Sequence, residues 1–268
     1  KSNGVEQNYS AKFLIDASGQ NTFLSSRQRT KKPYKGLEKS AYLTHWAGGK
    51  YIKGIEEGLI QIVFLGGSKQ GWLALQPVAK DRLSIGIVLD TSYIKEQKTK
   101  FISQGEKDWT MALYLQEVFS SSFMQDVLEN AQIAQPLISI SNYSYYSTKK
   151  HGSNYALIGD AGAFIDPIFA SGVYLAMNGA KLIAQALDER FKGDCENPQQ
   201  PLEEAYEHIN GAYKLLEKFI WIYYNPYSFD MAEVGPETLL KYKRHETAYS
   251  LIHYLLAGDF FNEYERYS

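Results

Sequence analysis

The stretch Tyr155-Ala-Leu-Ile-Gly-Asp-Ala-Gly-Ala-Phe-Ile-Asp-Pro-Ile-Phe-Ala-Ser-Gly-Val-Tyr-Leu-Ala176 admits few local folds. Residues 155–158 are a short apolar run, and Gly159-Asp160 ends it. Small residues follow, and Pro167 and Gly172 punctuate a loop ahead of a helical pattern expected over 173–191. The stretch therefore reads as a buried strand, a loop and a helix start. Glycine and alanine leave backbone N–H groups and a helix N-terminus open to close approach, which suits an electron-rich or anionic ligand. A plain strand-loop-helix connection accounts for the same residues.

The longer string resembles the second flavin-contacting motif of the two-domain FAD monooxygenase superfamily. Within that superfamily it is most similar to the flavin-dependent halogenases, whose version is close to G-D-A-x-x-F-I-D-P-x-F-S-S-G-V-x-L-A. The resemblance implies an α/β protein with an α+β excursion. Such an FAD/NAD(P)-binding, two-domain monooxygenase-like fold would be incomplete at its N-terminus here, with an antiparallel-sheet substrate domain and C-terminal helices. It implies that Asp160, after Gly159, hydrogen-bonds the ribityl chain of FAD, and that the loop from Pro167 through Ser171, Gly172 and Val173 lies against the flavin ring.

Residues 11–19 form an expected parallel, buried strand that ends at Asp16 and turns at Gly19. The superfamily carries D-A-x-G at the corresponding point, matched by Asp16-Ala-Ser-Gly19, followed by an arginine for which Arg27 is the candidate. From the residues alone, an Asx turn at a strand end reads equally well. Residues 27–33, basic and ending in Pro33, are expected as an exposed loop. Runs at 41–47, 59–65, 71–78 and 83–89, separated by Gly48-Gly49, Gly66-Gly67 and Lys80-Asp81, read as an antiparallel meander able to roof an aromatic ligand.

Within it, Gly71-Trp-Leu-Ala-Leu-Gln-Pro77 and Asp81-Arg-Leu-Ser-Ile-Gly86 resemble the halogenase segment W-x-W-x-I-P followed by D-R-x-S-V-G. The resemblance makes Trp72, Pro77 and Phe164 walls of the flavin and substrate region. A core-packing role for Trp72 reads equally well from the residue alone. Ala74 and Gln76 replace the family's second tryptophan and isoleucine, and Ala170 replaces the serine of F-x-x-P-x-x-S-x-G. These departures favour direct oxygen transfer over halogenation.

Residues 104–134 carry the spacing of one or two amphipathic helices broken near Ser120-Ser-Ser122. Residues 136–147 then return as a tyrosine-rich strand, and 202–224 form a strong helix stopped at Asn225-Pro226. The tail, 236–264, is helical and aromatic, and its Leu-Leu-Ala-Gly-Asp-Phe260 is similar to the C-terminal region of phenol- and pyrrole-type halogenases. The expected division is 1–30 as part of an FAD-binding domain, 31–147 as the substrate domain, 148–192 as FAD-binding domain again, and 193–268 as a C-terminal helical region.

No G-x-G-x-x-G occurs in the 268 residues, so nothing in the sequence matches the unit that holds the FAD pyrophosphate. The opening Lys1-Ser-Asn-Gly-Val-Glu-Gln7 reads as a hairpin turn, so the chain is expected to be a piece, about the C-terminal two-thirds of a family member. The catalytic lysine of the family would fall upstream of Lys1. The resemblance implies an FAD-dependent oxidoreductase acting on a small aromatic substrate through a hydroperoxyflavin and hypohalous acid. FAD would be reduced by a separate flavin reductase or NAD(P)H, and a halide ion would be consumed. A hydroxylating monooxygenase and a non-catalytic remnant or partner subunit are the alternatives.

A net charge of -2 argues against a nucleic-acid partner. The single cysteine, Cys195, offers no disulfide framework, and a reducing cytoplasm is expected. No run of about 18 apolar residues suggests a membrane span. The histidines are scattered, and His208 with Glu204 reads as a solvated helix face rather than a metal site.

Overall fold

The structure is a computed structural model that describes residues 7–193, 196–225 and 254–267. The opening turn, Cys195, Pro226, His245 and most of the expected C-terminal tail lie outside the described residues. Contacts divide the chain into two compact units, 1–32 with 145–268, and 33–144.

The first unit begins with β1 (Leu14–Asp16), α1 (Phe23–Arg27) and β2 (Lys31–Pro33). The basic run expected as a loop is therefore the end of a short helix and a strand, joined at Arg29 with φ 58°. The chain then enters the second unit with β3 (Lys39–Ala47), β4 (Gln61–Leu65), β5 (Gly71–Ala79) and β6 (Arg82–Asp90). Three helices follow, α2 (Thr91–Ser103), α3 (Trp109–Val118) and α4 (Ser122–Val127), and then β7 (Gln132–Ile133) and β8 (Ile138–Ser141). Asp90 and Asp108 cap α2 and α3 by accepting the N–H of Ser92 and Met111. Helix α2 escaped the sequence reading because its polar, lysine-rich surface leaves only Tyr93, Ile94 and Gln97 buried.

The four long strands exist, but they are not a simple meander. The sheet order is β4-β5-β6-β3-β7, with β8 also on β3. The chain leaves β3 at Gly48, crosses to the far edge, and returns through two hairpin connections, so that β3 pairs with β6 from Lys39↔Asp90 to Ala47↔Arg82. One face, carrying Tyr42, Trp46, Leu73, Leu75, Leu83, Ile85 and Ile87, forms this unit's core with the α3 residues Leu113, Tyr114 and Val118. The Trp46 indole N–H donates to the Tyr114 hydroxyl at 2.9 Å, which in turn donates to the Ile85 carbonyl at 3.1 Å. Both buried polar atoms thus have partners.

The tyrosine-rich segment at 136–147 is not one strand. Asn142, with φ 52°, breaks it into β8, which pairs with β3, and β9 (Tyr145–Ser147), which belongs to the first unit. From there β10 (His151–Gly152), β11 (Tyr155–Leu157), β12 (Ala163–Phe164), α5 (Gly172–Lys192) and α6 (Gln200–Tyr224) follow. Strand β1 pairs in parallel with β11, and β10 pairs with β11 antiparallel. Helices α5 and α6 pack together through Leu175, Ile183, Ala205, Ile209 and Ala212, all buried. The stripe on α6 is the expected one, and Asn225 ends the helix in extended backbone. Strand β1 departs from expectation in burial. Only Asp16 is enclosed, while Leu14 and Ile15 stand about half exposed.

Candidate flavin site

Strands β1 and β11 run side by side and end together, Asp16 opposite Leu157, with the Ile158 N–H donating to the Asp16 carbonyl at 2.9 Å. Each is followed by a glycine with positive φ, Gly19 at 61° and Gly159 at 54°. In parallel sheets, ligands gather beyond the carboxyl ends of the strands, which is where these two turns lie. A methyl group on Gly159 would sit 2.9 Å from the Ala176 Cβ, so glycine there serves both the left-handed backbone and the close approach of α5.

The two aspartates differ in what they have left to offer. The Asp16 carboxylate accepts the Ser18 N–H at 2.9 Å and the Leu24 N–H at 2.7 Å. Burial opposes its charge, but the bonds from Ser18 and Leu24 outweigh burial and hold the carboxyl below the usual carboxylate range. Asp16 therefore fastens its own turn to α1. The carboxylate of Asp160 is half-buried, and its oxygens accept no hydrogen bond from any described residue. Burial raises it above the ordinary range. Its oxygens are open to a donor from solvent or from a ligand.

Beyond Asp160, Phe164 in β12 is half-buried and packs toward Gly172, where an added Cβ would lie 3.8 Å from the phenyl ring. Asp166 accepts the Ile168 N–H at 3.0 Å and so caps the 3-10 turn Pro167–Phe169. Ala170 follows with φ 51°, and the buried Ser171 leads into α5. Ser171 makes no side-chain capping bond. The first-turn N–H groups at Gly172 and Val173 have no intrahelical acceptor, and at the head of a 21-residue helix they carry partial positive charge. Val173 is 72% exposed, so this end of the helix is open. The expected cofactor residues Asp16, Gly19, Gly159, Asp160, Pro167, Ser171, Gly172 and Val173 all lie in this one unit, along with Phe164.

Trp72 and Pro77 lie on β5 of the other unit. Side chains alternate along a strand, and the register places Trp72 opposite Val88 but Pro77 opposite Leu83 of the core face. They point to opposite faces of the sheet, so they do not form one wall. Ala74 and Gln76 share the face of Trp72, next to Gly86 and Ser84.

Tyrosine hydroxyls, which the sequence reading passed over, hold the site segment in place. Tyr206 donates to the Leu157 carbonyl at 2.7 Å, Tyr213 to the Ala163 carbonyl at 3.0 Å, and Tyr224 to the Asp166 carboxylate at 3.0 Å. All three come from α6, two and then about three turns apart, so they lie on one stripe. Tyr145 of β9 adds a bond of 2.8 Å to the Asp160 carbonyl, and its ring carries the Lys31 ammonium at 3.7 Å. The signal was present in the spacing of the tyrosines along one apolar helix face.

The described histidines on α6 and β10 pack against aromatic rings. His151 stacks on Tyr206 at 4.6 Å. His208 is packed against Phe261 and Tyr264 rather than lying on a solvated face. Among the described residues no cluster of His, Cys, Asp and Glu is placed to hold a metal, and no helix is long and apolar enough to cross a membrane.

The residues present fit the ribityl and ring portions of FAD. Asp160 offers an unshared acceptor for hydroxyls, and the open head of α5 offers N–H groups to an electron-rich ring edge. No family model matches the chain. The chain is 30% identical over 205 residues to the flavin-dependent halogenase armH3 of Armillaria mellea, covering 73% of this chain and 40% of that protein. It is also 30% identical over 186 residues to a tryptophan 2-halogenase of Chondromyces crocatus, covering 69% and 34%. Among solved structures, a triple mutant of the flavin-dependent brominase Bmp2 superposes with a TM-score of 0.74 at 24% identity, over 97% of this chain and 61% of that one. The myxobacterial chondrochloren halogenase CndH gives 0.72 at 24%, over 85% and 50%. The aligned part of the chain spans 40% and 34% of these two curated relatives, and the superposed part 61% of the brominase.

Proposed function

The chain is flavin-dependent halogenase-like, related to those enzymes in sequence and sharing their fold, and from that premise we propose that it supplies the ribityl-and-ring half of an FAD-dependent oxidoreductase. The substrate class is a small aromatic compound, with a halide ion consumed. The observation that carries this reading is the half-buried Asp160 carboxylate without a described donor, set between the Gly159 turn and the open head of α5. FAD, reduced by a separate reductase or by NAD(P)H, would supply the oxidising power drawn from oxygen.

The chain's own residues bind and orient. Asp160 would accept the ribityl hydroxyls, and the Gly159 turn would let the backbone approach them. The N–H groups of Gly172 and Val173, without intrahelical acceptors, would hold an electron-rich part of the flavin ring. Asp166, held by Tyr224, keeps the Pro167–Phe169 turn from shifting. The reading is tested on the full natural polypeptide by titrating FAD and following flavin fluorescence. Asp160→Ala is expected to weaken binding by about 10-fold to 100-fold, the equivalent of a hydrogen bond to a charged group. Asp160→Asn keeps the shape and controls for folding. Unchanged affinity in both would remove Asp160 from the site.

Direct transfer of oxygen is a second reading, favoured by Ala74 where the family resemblance has a tryptophan. With substrate, oxygen and bromide, a halogen isotope pattern in the product supports halogenation. A gain of one oxygen regardless of halide supports hydroxylation. Stable association with another protein without FAD would point to a non-catalytic subunit.

A further inference from the structure

Helix α5 starts without the usual fastening. Ser171 contributes no side-chain capping bond, Ala170 before it has φ 51°, and Val173 in the first turn is 72% exposed. A missing cap costs about 1 kcal/mol and leaves a first turn prone to fray. This is the turn whose N–H groups at Gly172 and Val173 would hold the flavin ring, so its placement matters to the ligand. The hold comes from the next residue.

Tyr174 packs into the segment 254–267. Its ring meets Phe260 at 5.5 Å and Phe261 edge to face at 6.1 Å, and its hydroxyl accepts from the Asn262 side-chain amide at 3.1 Å. Phe260 and Phe261 are both buried. The segment is itself mounted on α6. Phe261 and Tyr264 pack edge to face on His208, and Gly211 of α6 leaves the room that the Tyr264 ring fills. Gly258 is the point of closest approach to α5. It lies in the π-helical turn Leu255–Asp259 with φ 139°, a backbone suited to glycine, and a Cβ added there would collide with the Tyr174 hydroxyl. The motif Leu255-Leu-Ala-Gly-Asp-Phe260 thus has a geometric reason: Leu255 and Phe260 are buried anchors, and Gly258 gives Tyr174 its clearance.

We propose that Tyr174, held by Gly258, Phe260, Phe261 and Asn262, is a positioning residue that fixes the head of α5 against the flavin ring. It thereby sets how strongly the protein favours the reduced, more electron-rich ring over the oxidised one. The partial positive charge of a helix head falls off within one turn, so a small shift of that turn weakens its hold most on the ring with the greater negative charge. The inference rests on the FAD reading for what the head binds, while the coupling of Gly258 to α5 stands on the packing alone.

The test uses the full natural polypeptide, first without FAD. Amide hydrogen exchange is followed at Leu175, whose N–H donates to the Ser171 carbonyl at 2.9 Å and so closes the first turn of α5. Gly258→Ala and Asn262→Ala are each expected to speed exchange at Leu175 by about 10-fold while Ile209 in α6 stays protected. Asn262 is exposed, so its variant is expected to fold even where Gly258→Ala does not. Titrations with FAD follow, under anaerobic conditions for the reduced form. The variants should weaken reduced FAD by about 3-fold to 10-fold more than oxidised FAD, a ratio that a loss of overall stability does not move. Faster exchange together with the changed ratio supports the proposal. Unchanged exchange at Leu175 in both variants overturns the hold, and an equal loss for the two redox forms overturns its role toward the ring. Wild-type protein that binds no FAD, with Leu175 still responding to the substitutions, removes the FAD reading and leaves the hold on α5 standing.

Discussion

At Lys150 a charged amine sits where burial works against it. The side chain is half-buried, yet its amine is enclosed among Leu157, Tyr206, Ile209 and Tyr213, donating to the Asn210 side chain at 2.6 Å with the Tyr213 ring 4.9 Å away. Burial, and then the charge of Lys214, bring it from 10.5 down to about 8. The folded chain therefore releases this proton before the unfolded chain does. Between about pH 8 and 10.5 the unfolded state binds more protons, so the contribution of this group to stability rises with pH across that window and is at its worst below it. Replacing Lys150 with Met is expected to stabilise the protein at pH 7. The advantage should shrink by about 3 kcal/mol by pH 10.5, read from urea unfolding at the two pH values. An advantage that does not change with pH would place the amine in water. Asp160 is the companion case: both groups face the site segment, but only the carboxylate is positioned as an acceptor for a ligand.

Helix α6 acts as a post for the flavin segment. Its buried stripe of Leu202, Ile209, Leu216 and Ile220 supplies packing, while the hydroxyls of Tyr206, Tyr213 and Tyr224 reach Leu157, Ala163 and Asp166 in turn. Removing one hydroxyl leaves a buried carbonyl or carboxylate short of a donor, at a cost of about 1 to 3 kcal/mol. Tyr206→Phe and Tyr213→Phe are thus each expected to lower the unfolding free energy by that amount. Tyr224→Phe should add a loosening of the Pro167–Phe169 turn, seen as faster amide exchange at Ile168. Equal exchange at Ile168 in both proteins would show that Asp166 holds the turn unaided. The strand, the Gly159 turn and the start of α5 were legible because glycine, aspartate and a short apolar run dictate local geometry. The tyrosine posts were not, because a tyrosine on an apolar helix face looks like packing until its hydroxyl is seen to meet a carbonyl. Sheet order was hidden for a related reason. The hairpins β4-β5-β6 follow from short turns, whereas the pairing of β3 with β6 joins residues distant in the chain and leaves no local mark. The opposition of Trp72 and Pro77 was legible in principle, since an odd spacing along a strand separates faces, but a motif read as one wall obscured it.

At the scale of the whole molecule, 33–144 interrupts a unit that resumes at 145, and its two ends meet. The Tyr34 N–H donates to the Ser144 carbonyl at 3.2 Å, so the segment enters and leaves at one place. Its core is its own: every member from Tyr42 to Leu128 lies within the segment. A segment of this size, with closed ends and a separate core, meets the conditions for folding alone. Residues 33–144 expressed by themselves are expected to unfold in one cooperative transition. Their near-ultraviolet circular dichroism should come from the ordered Trp46 and Tyr114. Joining Lys32 to Tyr145 by a short glycine-serine linker should in turn leave β1, β11, α5 and α6 packed, because the interactions described at Asp16, Asp160 and Asp166 stay within 1–32 and 145–268. If the excised segment gives a broad, non-cooperative melt with no near-ultraviolet signal, the division reflects geometry without independent stability. The sheet would then depend on the rest of the chain for its fold. If both pieces fold, the segment that carries Trp72 and Ala74 can be exchanged for its counterpart from a relative. Changes in the product would then be assigned to that segment while the flavin-side residues are held constant.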